Sequence, residues 1–296
     1  MAYVNRGQLQ KGRQYLQHSL REELSSKTLT QLAMVAERSS DLTKADDYYR
    51  RALNEVGRKT HDDSARRAEL LERLGDVARR LRKDSEATRL YQRALATWDQ
   101  LRSVLQGRKR AALQVRRGVL LGRLGQHANS IEAFEQGIHD APDWLQVYAG
   151  VLAYLVVAEP NLSFATQVFY RVQRQLSLEP EWKVYFALWV GVIAVRAHGS
   201  LDAEVTELVD DLAKRTSSSW WRRLAQFGAG KLSYGELRGL ARDPGQLAEA
   251  HFYAGAQRLG KNDNTEALRF FEKVMQSQMV SFYEFAMAQE FIAQAR

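Results

Sequence analysis

The chain has 296 residues, and its 43 Lys and Arg against 35 Asp and Glu give a formal net charge of +8. Hydrophobic residues make up 45% and charged residues 26%, which are the proportions of a folded globular protein rather than of a disordered chain. Cysteine is absent, which excludes disulfides, thiolate catalysis and cysteine-ligated zinc.

The sequence shows no segment that would direct the chain into or across a membrane. Its N-terminus turns polar and basic after four residues and lacks the apolar core of a secretory signal. The two longest apolar runs, at 147–158 and 184–195, have 12 residues each, whereas a helix needs about 20 to cross a bilayer. We therefore expect no membrane span and a cytoplasmic location, or a periplasmic one if a signal has been removed.

One short pattern recurs along the chain: alanine or serine, an aromatic residue four positions later, and a small or β-branched residue three after that. Spacings of four and three place the three side chains on one face of a helix. A small residue lies twelve positions before each pattern and would let a preceding helix pack closely. The patterns are Ala45–Tyr49–Ala52, Ala87–Tyr91–Ala94, Ser130–Phe134–Gly137, Ala165–Phe169–Val172 and Ala267–Phe271–Val274, preceded by Ala33, Gly75, Gly118, Ala153 and Gly255.

These features resemble the tetratricopeptide repeat (TPR), an antiparallel helix pair of about 34 residues. The best match runs from Leu71 to Ala94, and the next unit adds the turn glycine Gly125 and the closing proline Pro142. The resemblance implies an all-α fold, an α-α superhelix, in which a TPR-like solenoid of antiparallel helix pairs occupies residues 1–296. Each pair would then bury its apolar stripe only against its neighbours.

In chain order, the resemblance predicts a series of units within this single solenoid. They are a partial repeat at 1–25, repeats at 26–67, 68–110, 111–145, 146–180 and 181–217, a degenerate pair at 218–246, a repeat at 247–280 and a capping helix at 281–296. Two long spacings predict that helices run on by about two turns around residues 54–67 and 98–110. The incomplete first unit suggests an array cut from a longer protein.

Charge is divided unevenly along the chain. Residues 1–123 carry a net charge of +12, and residues 124–296 carry −4. Guanidinium groups hold carboxylates or phosphates through two hydrogen bonds, so we interpret this excess as one wall of a partner-binding groove. The alternative is a solvated face neutralised by acidic residues four positions away. The arginines expected on the inner side of the first helices, or at its rim, are Arg38, Arg73, Arg79, Arg80, Arg116 and Arg123.

Two helices in the C-terminal half, at 148–158 and 182–195, are apolar nearly all round. Such a helix is either wrapped by its own chain or covered by a partner. Burial within the chain is the favoured alternative. The other alternative is a hydrophobic groove or a self-association surface, which would allow a homodimer. For that alternative the candidate partner-binding residues are Tyr154, Tyr185 and Trp189.

No arrangement of residues indicates catalysis, a cofactor or a metal site. The six histidines include no pair at the four-residue spacing of a metal-binding helix. The segment from Gly228 to Lys231 is not a phosphate-binding loop, because Ala225 and Leu232 stand where that loop needs a glycine and a hydroxyl residue. We therefore predict a protein that is not an enzyme and uses no cofactor.

The leading hypothesis is a protein–protein interaction scaffold or adaptor that binds a protein or peptide, with an acidic segment as the expected type. Two alternatives stay open: nucleic acid or another polyanion on the basic N-terminal half, and a regulatory array of a larger enzyme. Nucleic acid is less favoured, because the aromatics that would stack on bases lie mostly in the acidic half. The lysine–asparagine clamp of chaperone-type TPR domains is absent, with Gln31, Met34, Arg73 and Asp76 at the corresponding positions.

Overall fold

The structure is a computed structural model that describes residues 14, 25–57, 60–175, 177–201, 203–214, 219–277, 279 and 281–295. Over these residues it contains fifteen α-helices and no β-strand, which confirms the predicted all-α class. The partial repeat predicted at 1–25 lies outside the described residues except for residues 14 and 25. None of the described helices is long and apolar enough to cross a membrane.

The chain divides into two compact units: unit 1 ends at Ala141 and unit 2 begins at Pro142. In unit 1, six helices pack as three consecutive pairs. They are α1 (Ser26–Arg38), α2 (Leu42–Glu55), α3 (His61–Arg80), α4 (Asp84–Leu101), α5 (Gly107–Arg123) and α6 (His127–Asp140).

Unit 2 continues with helix pairs and ends on a single helix. Its members are α7 (Leu145–Val157), α8 (Leu162–Gln175), α9 (Pro180–Arg196), α10 (Ala203–Lys214), α11 (Trp220–Gly228), α12 (Tyr234–Leu240), α13 (Pro244–Leu259), α14 (Asn264–Gln276) and α15 (Tyr283–Ala295). The pair α11–α12 is short, at 9 and 7 residues, and falls in the stretch predicted to be degenerate.

The same tight turn joins the two helices of a pair in six places among the described residues. At the end of α1, for example, the backbone N–H of Asp41 donates to the carbonyl oxygen of Ala36 at 2.9 Å, five residues earlier. This bond is the mark of a Schellman motif, which needs one residue with positive φ just before the donor. The residues in that conformation at these turns are Ser40, Arg82, Gly125, His198, Gly230 and Asn262.

Within a pair, a glycine of the first helix lies against an aromatic ring of the second. A Cβ atom on Gly75 would come within 2.4 Å of the Tyr91 ring, and one on Gly118 would come within 2.4 Å of the Phe134 ring. Both rings are buried, at 2% and 0% exposure. The close approach expected from the twelve-residue spacing is therefore confirmed in these pairs, where the missing side chain makes room for the ring.

The helix boundaries differ from the predicted extensions. Helix α2 ends at Glu55, and the added length belongs to α3, whose 20 residues begin at His61. The reason is a capping box: the Thr60 hydroxyl accepts from the Asp63 backbone N–H at 3.0 Å, while the Asp63 carboxylate accepts from the Thr60 N–H at 3.2 Å. Around 98–110, α4 ends at Leu101 and α5 begins at Gly107, so a connection replaces the expected run-on.

In unit 2 the first helices close on one another. Helix α7 contacts α9, α9 contacts α13, α13 contacts α15, and α15 contacts α7. Arg196 secures this closure by donating to the carbonyl oxygens of Val156 and Ala158 at 2.6 and 2.7 Å and by lying 5.2 Å from the centre of the Phe291 ring. The ring of helices explains why α7 and α9 are apolar nearly all round, because protein covers them on several sides.

Candidate functional site

Ion pairs connect the first helices of successive pairs in unit 1. Arg80 of α3 reaches back to Glu37 of α1 at 3.0 Å, and these side chains are only 11% and 10% exposed. Arg116 of α5 contacts both Glu69 and Glu72 of α3, at 2.9 and 3.0 Å. We call the side of unit 1 that carries these ion pairs, formed by α1, α3 and α5, the A face.

Aromatic donors of the second helices complete the same contacts. The Tyr49 hydroxyl of α2 donates to Glu37 at 2.9 Å, and the Tyr91 hydroxyl of α4 donates to Asp76 of α3 at 2.8 Å. Asp76 is also paired with Arg123 of α5. Each carboxylate thus lies between a hydroxyl from its own helix pair and a guanidinium from the next pair, an arrangement that we call a clasp.

A third clasp repeats this chemistry with a tryptophan. The Trp98 indole N–H of α4 donates to Glu72, which Arg116 also contacts. Burial raises the pKa of Glu72 above its ordinary value, although the Arg116 charge acts in the opposite direction. The guanidinium groups of Arg116 and Arg123 also lie over the Trp98 and Tyr91 rings, at 5.6 and 5.4 Å from the ring centres.

The clasps account for three of the six predicted arginines, namely Arg80, Arg116 and Arg123. Arg79 is half-buried on α3, where its charge acts on Tyr91. Two arginines remain, and both differ from the clasp residues. They are Arg38 at the end of α1 and Arg73 in the middle of α3.

Arg38 is half-buried, and its Nη1 atom is buried without a hydrogen-bond partner among the described residues. Burial lowers the pKa of Arg38 below its ordinary value, and the neighbouring charge of Arg73 lowers it further. Arg73 is exposed and takes part in none of the ion pairs within the described ranges. The A face therefore holds two guanidinium groups outside its clasps, although the charges of the clasp carboxylates Glu37, Asp76 and Glu72 act on Arg73.

The aromatic residues predicted in the C-terminal half lie in unit 2 and differ in exposure. The Trp189 side chain is buried at 1% exposure, so its ring lies in the core of unit 2 and not on a surface open to a partner. Tyr185 is half-buried, and its hydroxyl donates to Glu249 at 2.8 Å. Tyr154 is half-buried on α7. The favoured expectation for these helices, burial within the chain, agrees with this packing.

Two buried carboxyl groups occupy the interior of unit 2. Glu249 of α13 is 5% exposed and accepts from Tyr185 and from the Trp220 indole, the latter at 2.5 Å. Glu284 of α15 is 3% exposed and accepts from the Tyr253 hydroxyl at 3.0 Å. Burial raises the pKa of Glu249 to about 8, with the charge of Glu284 as the second cause. Burial also raises the pKa of Glu284.

Sequence reasoning missed the clasp carboxylates and the two buried glutamates. A signal for the clasps exists in the chain: each carboxylate of the A face is followed by its arginine 43, 44 or 47 residues later, close to the spacing of the first two repeats. No comparable regularity marks Glu249 and Glu284. Within the described ranges, no group of three or more metal-binding side chains is present.

Residues 24–100 match the model of the tetratricopeptide repeat family. This part of the chain carries tetratricopeptide repeats. These residues cover the pairs α1–α2 and α3–α4 almost completely, together with the start of the A face. Proteins with such repeats generally mediate protein–protein interactions and typically act as non-catalytic scaffolds. No curated protein matches the chain.

Three solved structures are similar to the chain at low identity. The pilF protein of Pseudomonas aeruginosa is 19% identical, with a TM-score of 0.45 over 78% of this chain and 93% of that one. A tetratricopeptide repeat protein from Parabacteroides merdae is 14% identical, with a TM-score of 0.40 over 93% and 100%. The C-terminal part of a repeat protein from Cytophaga hutchinsonii is 14% identical, with a TM-score of 0.40 over 96% of each chain.

Proposed function

We propose that this protein is an interaction scaffold whose A face binds an acidic polypeptide segment. The observation that carries this proposal is the excess of arginine on that face. The six arginines predicted from the sequence all belong to α1, α3 and α5, and the ion pairs of this face involve four carboxylates, Glu37, Glu69, Glu72 and Asp76. The surplus is concentrated at Arg38 and Arg73, which lie outside the clasps.

The clasps support the proposal in a second way, because they hold the A face in a fixed shape. Each clasp joins side chains from three helices, so the guanidinium groups are positioned before any partner arrives. Preorganised groups lose little conformational entropy on binding, and a positive surface also accelerates the approach of an acidic segment. In unit 2 the corresponding first helices contact one another in a ring. We therefore assign the binding surface to unit 1.

Reversing the exposed charge of Arg73 should weaken the binding of an acidic peptide. We expect Arg73→Glu to reduce the affinity for a fluorescein-labelled hexaglutamate peptide by about tenfold or more, since one charge-assisted contact contributes about 1.5–3 kcal/mol. Arg93→Glu is the matched control, because Arg93 is an exposed arginine on the second helix α4. Fluorescence anisotropy of the full chain at low salt measures both.

Equal losses of peptide affinity in Arg73→Glu and Arg93→Glu would show that the net positive charge of the chain, rather than the A face, drives binding. A complete lack of peptide binding to the wild-type chain at low salt would reject an acidic partner altogether, because ionic attraction is strongest there. The nucleic-acid alternative is tested in the same assay. A random-sequence oligonucleotide that binds more tightly than the peptide would favour it.

A further inference from the structure

We propose that an open cavity in unit 2 binds a small organic carboxylate that carries an apolar body. The cavity has a volume of about 470 Å³, which is in the range of sites for small molecules. It lies where α9 and α13 end, where α14 begins and where α15 ends. This site is independent of the A face, which belongs to unit 1.

Arg196 lines the cavity and is held in place before a ligand arrives. Its Nη1 atom donates to the carbonyl oxygens of Val156 and Ala158 at 2.6 and 2.7 Å, and its guanidinium lies 5.2 Å from the centre of the Phe291 ring. Among the described residues nothing accepts from its Nε and Nη2 atoms. These atoms keep accessible surface, since the side-chain nitrogens that are both fully buried and unpartnered belong to other residues. Two adjacent donors of this kind match the two oxygens of a carboxylate.

Within the described ranges no carboxylate of the protein neutralises Arg196. None of the described residues that line the cavity is acidic. In this respect Arg196 differs from the clasp arginines Arg80, Arg116 and Arg123, each of which contacts a carboxylate. Burial lowers the pKa of Arg196 below its ordinary value, so the guanidinium has lost hydration without gaining a counter-charge. An anion in the cavity would supply that counter-charge.

The rest of the cavity suits an uncharged, apolar body. Its floor includes the rings of Phe271 and Phe291, which are buried and stack with their centres 4.9 Å apart, and the half-buried side chain of Leu268. Its rim carries the exposed amides of Asn262 and Asn264, which can donate further hydrogen bonds to an oxygen of the ligand. A ligand with one charged end and one apolar end satisfies both parts of the cavity.

The charges around the cavity favour a carboxylate over a phosphate. Arg196 balances one negative charge, and the carbonyl oxygens of Val156 and Ala158 lie against the same guanidinium, where they would repel a second one. The only other titratable side chain among the described lining residues is that of His198, which is exposed, so water screens any charge on it. A singly charged head group therefore fits best.

Calorimetric titration of the full chain with phenylpropionate tests the site, because this probe joins a carboxylate to a phenyl ring by a short stem. The neutral phenylpropionamide is the matched control ligand and should bind about tenfold more weakly or less, since it lacks the charge that Arg196 recognises. Arg196→Gln should weaken the binding of phenylpropionate about tenfold or more and should abolish the preference for the charged ligand.

A second variant leaves the contacts of Arg196 intact. Asn264→Asp places a negative charge at the rim, on the first residue of α14, where the start of a helix tolerates an acidic side chain. It should weaken the binding of phenylpropionate several-fold and leave that of phenylpropionamide unchanged. Asn129→Asp makes the same change at an exposed position in the first turn of α6, in unit 1, and should affect neither ligand.

Equal binding of the two ligands to the wild-type chain, or no binding of either, overturns the proposal. Tighter binding of phenyl phosphate that is lost in Arg196→Gln would assign the cavity to phosphate and overturn the carboxylate. If Arg196→Gln fails to fold, Asn264→Asp and Asn129→Asp decide, and equal affinities for phenylpropionate in these two variants overturn the site. These outcomes leave the function proposed for the A face untouched, since that function is tested with a peptide and with variants of unit 1.

Discussion

Raising the pH from about 5 to 9 is expected to destabilise unit 2, because Glu249 is buried and protonated in the folded state. Its folded pKa is about 8, against an ordinary value of 4.5. A group whose pKa is raised by folding stabilises the protein fully below its unfolded pKa, and this stabilisation is lost as the pH rises through its folded pKa. Since one pKa unit corresponds to about 1.4 kcal/mol, the loss should reach several kcal/mol.

The groups around Glu249 explain why its ionisation is costly. Glu284 of α15 and Glu181 of α9 are both acidic and raise its pKa further, while Tyr185 and Trp220 donate hydrogen bonds that favour the charged form. Burial outweighs those two donors. Ionisation at high pH would place negative charge beside a second carboxyl group inside the ring of first helices, and we expect contacts between α13 and α15 to weaken first.

Tryptophan fluorescence during denaturant unfolding measures this effect. Five of the six tryptophans belong to unit 2, and only Trp98 belongs to unit 1, so the signal reports mainly on unit 2. The matched control is Glu249→Gln, which cannot ionise. Its one amide oxygen can accept from the Trp220 indole, and its amide N–H can donate to the Tyr185 hydroxyl oxygen. The denaturant concentration at the midpoint of unfolding should fall much less between pH 5 and 9 in this variant than in the wild-type protein. An equal fall in both proteins, or a wild-type midpoint that does not fall, contradicts the assignment.

Gly118→Ala is expected to destabilise unit 1 because the new methyl group would overlap the Phe134 ring. Its Cβ would lie 2.4 Å from the nearest ring carbon, and the ring is fully buried at 0% exposure. Overpacking of this kind costs about 1–3 kcal/mol and outweighs the gain of about 1 kcal/mol that alanine brings to a helix. Thermal unfolding followed by circular dichroism measures the difference.

Two further variants show whether the ring is the cause. Gly191 lies inside α9, and among the described residues only Leu201 lies within reach of its missing Cβ, at 3.8 Å. Gly191→Ala should therefore stabilise the protein by about 0.5–1 kcal/mol. In a Phe134→Leu background, Gly118→Ala should reduce the free energy of unfolding by less, because the smaller side chain relieves the overlap. If both glycine variants shift the melting temperature alike, or if the effect of Gly118→Ala is the same in the leucine background, overlap with the Phe134 ring is not the cause.

Local spacing made the helix pairs predictable. Glycine twelve residues before an alanine–aromatic pattern predicts a close pair, and Gly75 with Tyr91 and Gly118 with Phe134 confirm it. The repeat spacing assigned residues 54–67 to a helix that runs on, whereas Thr60 and Asp63 form a capping box inside that stretch and α3 begins at His61. Capping hydrogen bonds act over four residues and override a helix boundary that was inferred from a repeat spacing of about forty residues.

Contacts between pairs were harder to predict because they depend on how one pair is rotated against the next. The sequence placed six arginines on the A face but did not show that Arg80, Arg116 and Arg123 are held by carboxylates of the preceding first helix. Trp189 illustrates the same gap in unit 2. Its helix is apolar nearly all round, which favours a core but leaves a groove open until the ring of α7, α9, α13 and α15 is known.

Site-directed crosslinking tests most directly whether the A face binds an acidic polypeptide. Because the chain has no cysteine, a single introduced one is the only thiol. Gln31 lies two helical turns before Arg38 on α1, whereas Gln92 is exposed on the second helix α4. The reagent is a hexaglutamate peptide carrying a bromoacetyl group, with rates normalised to iodoacetamide. We predict much faster crosslinking of Gln31→Cys than of Gln92→Cys, with the difference lost in about 1 M salt. Equal normalised rates at low salt would contradict the account.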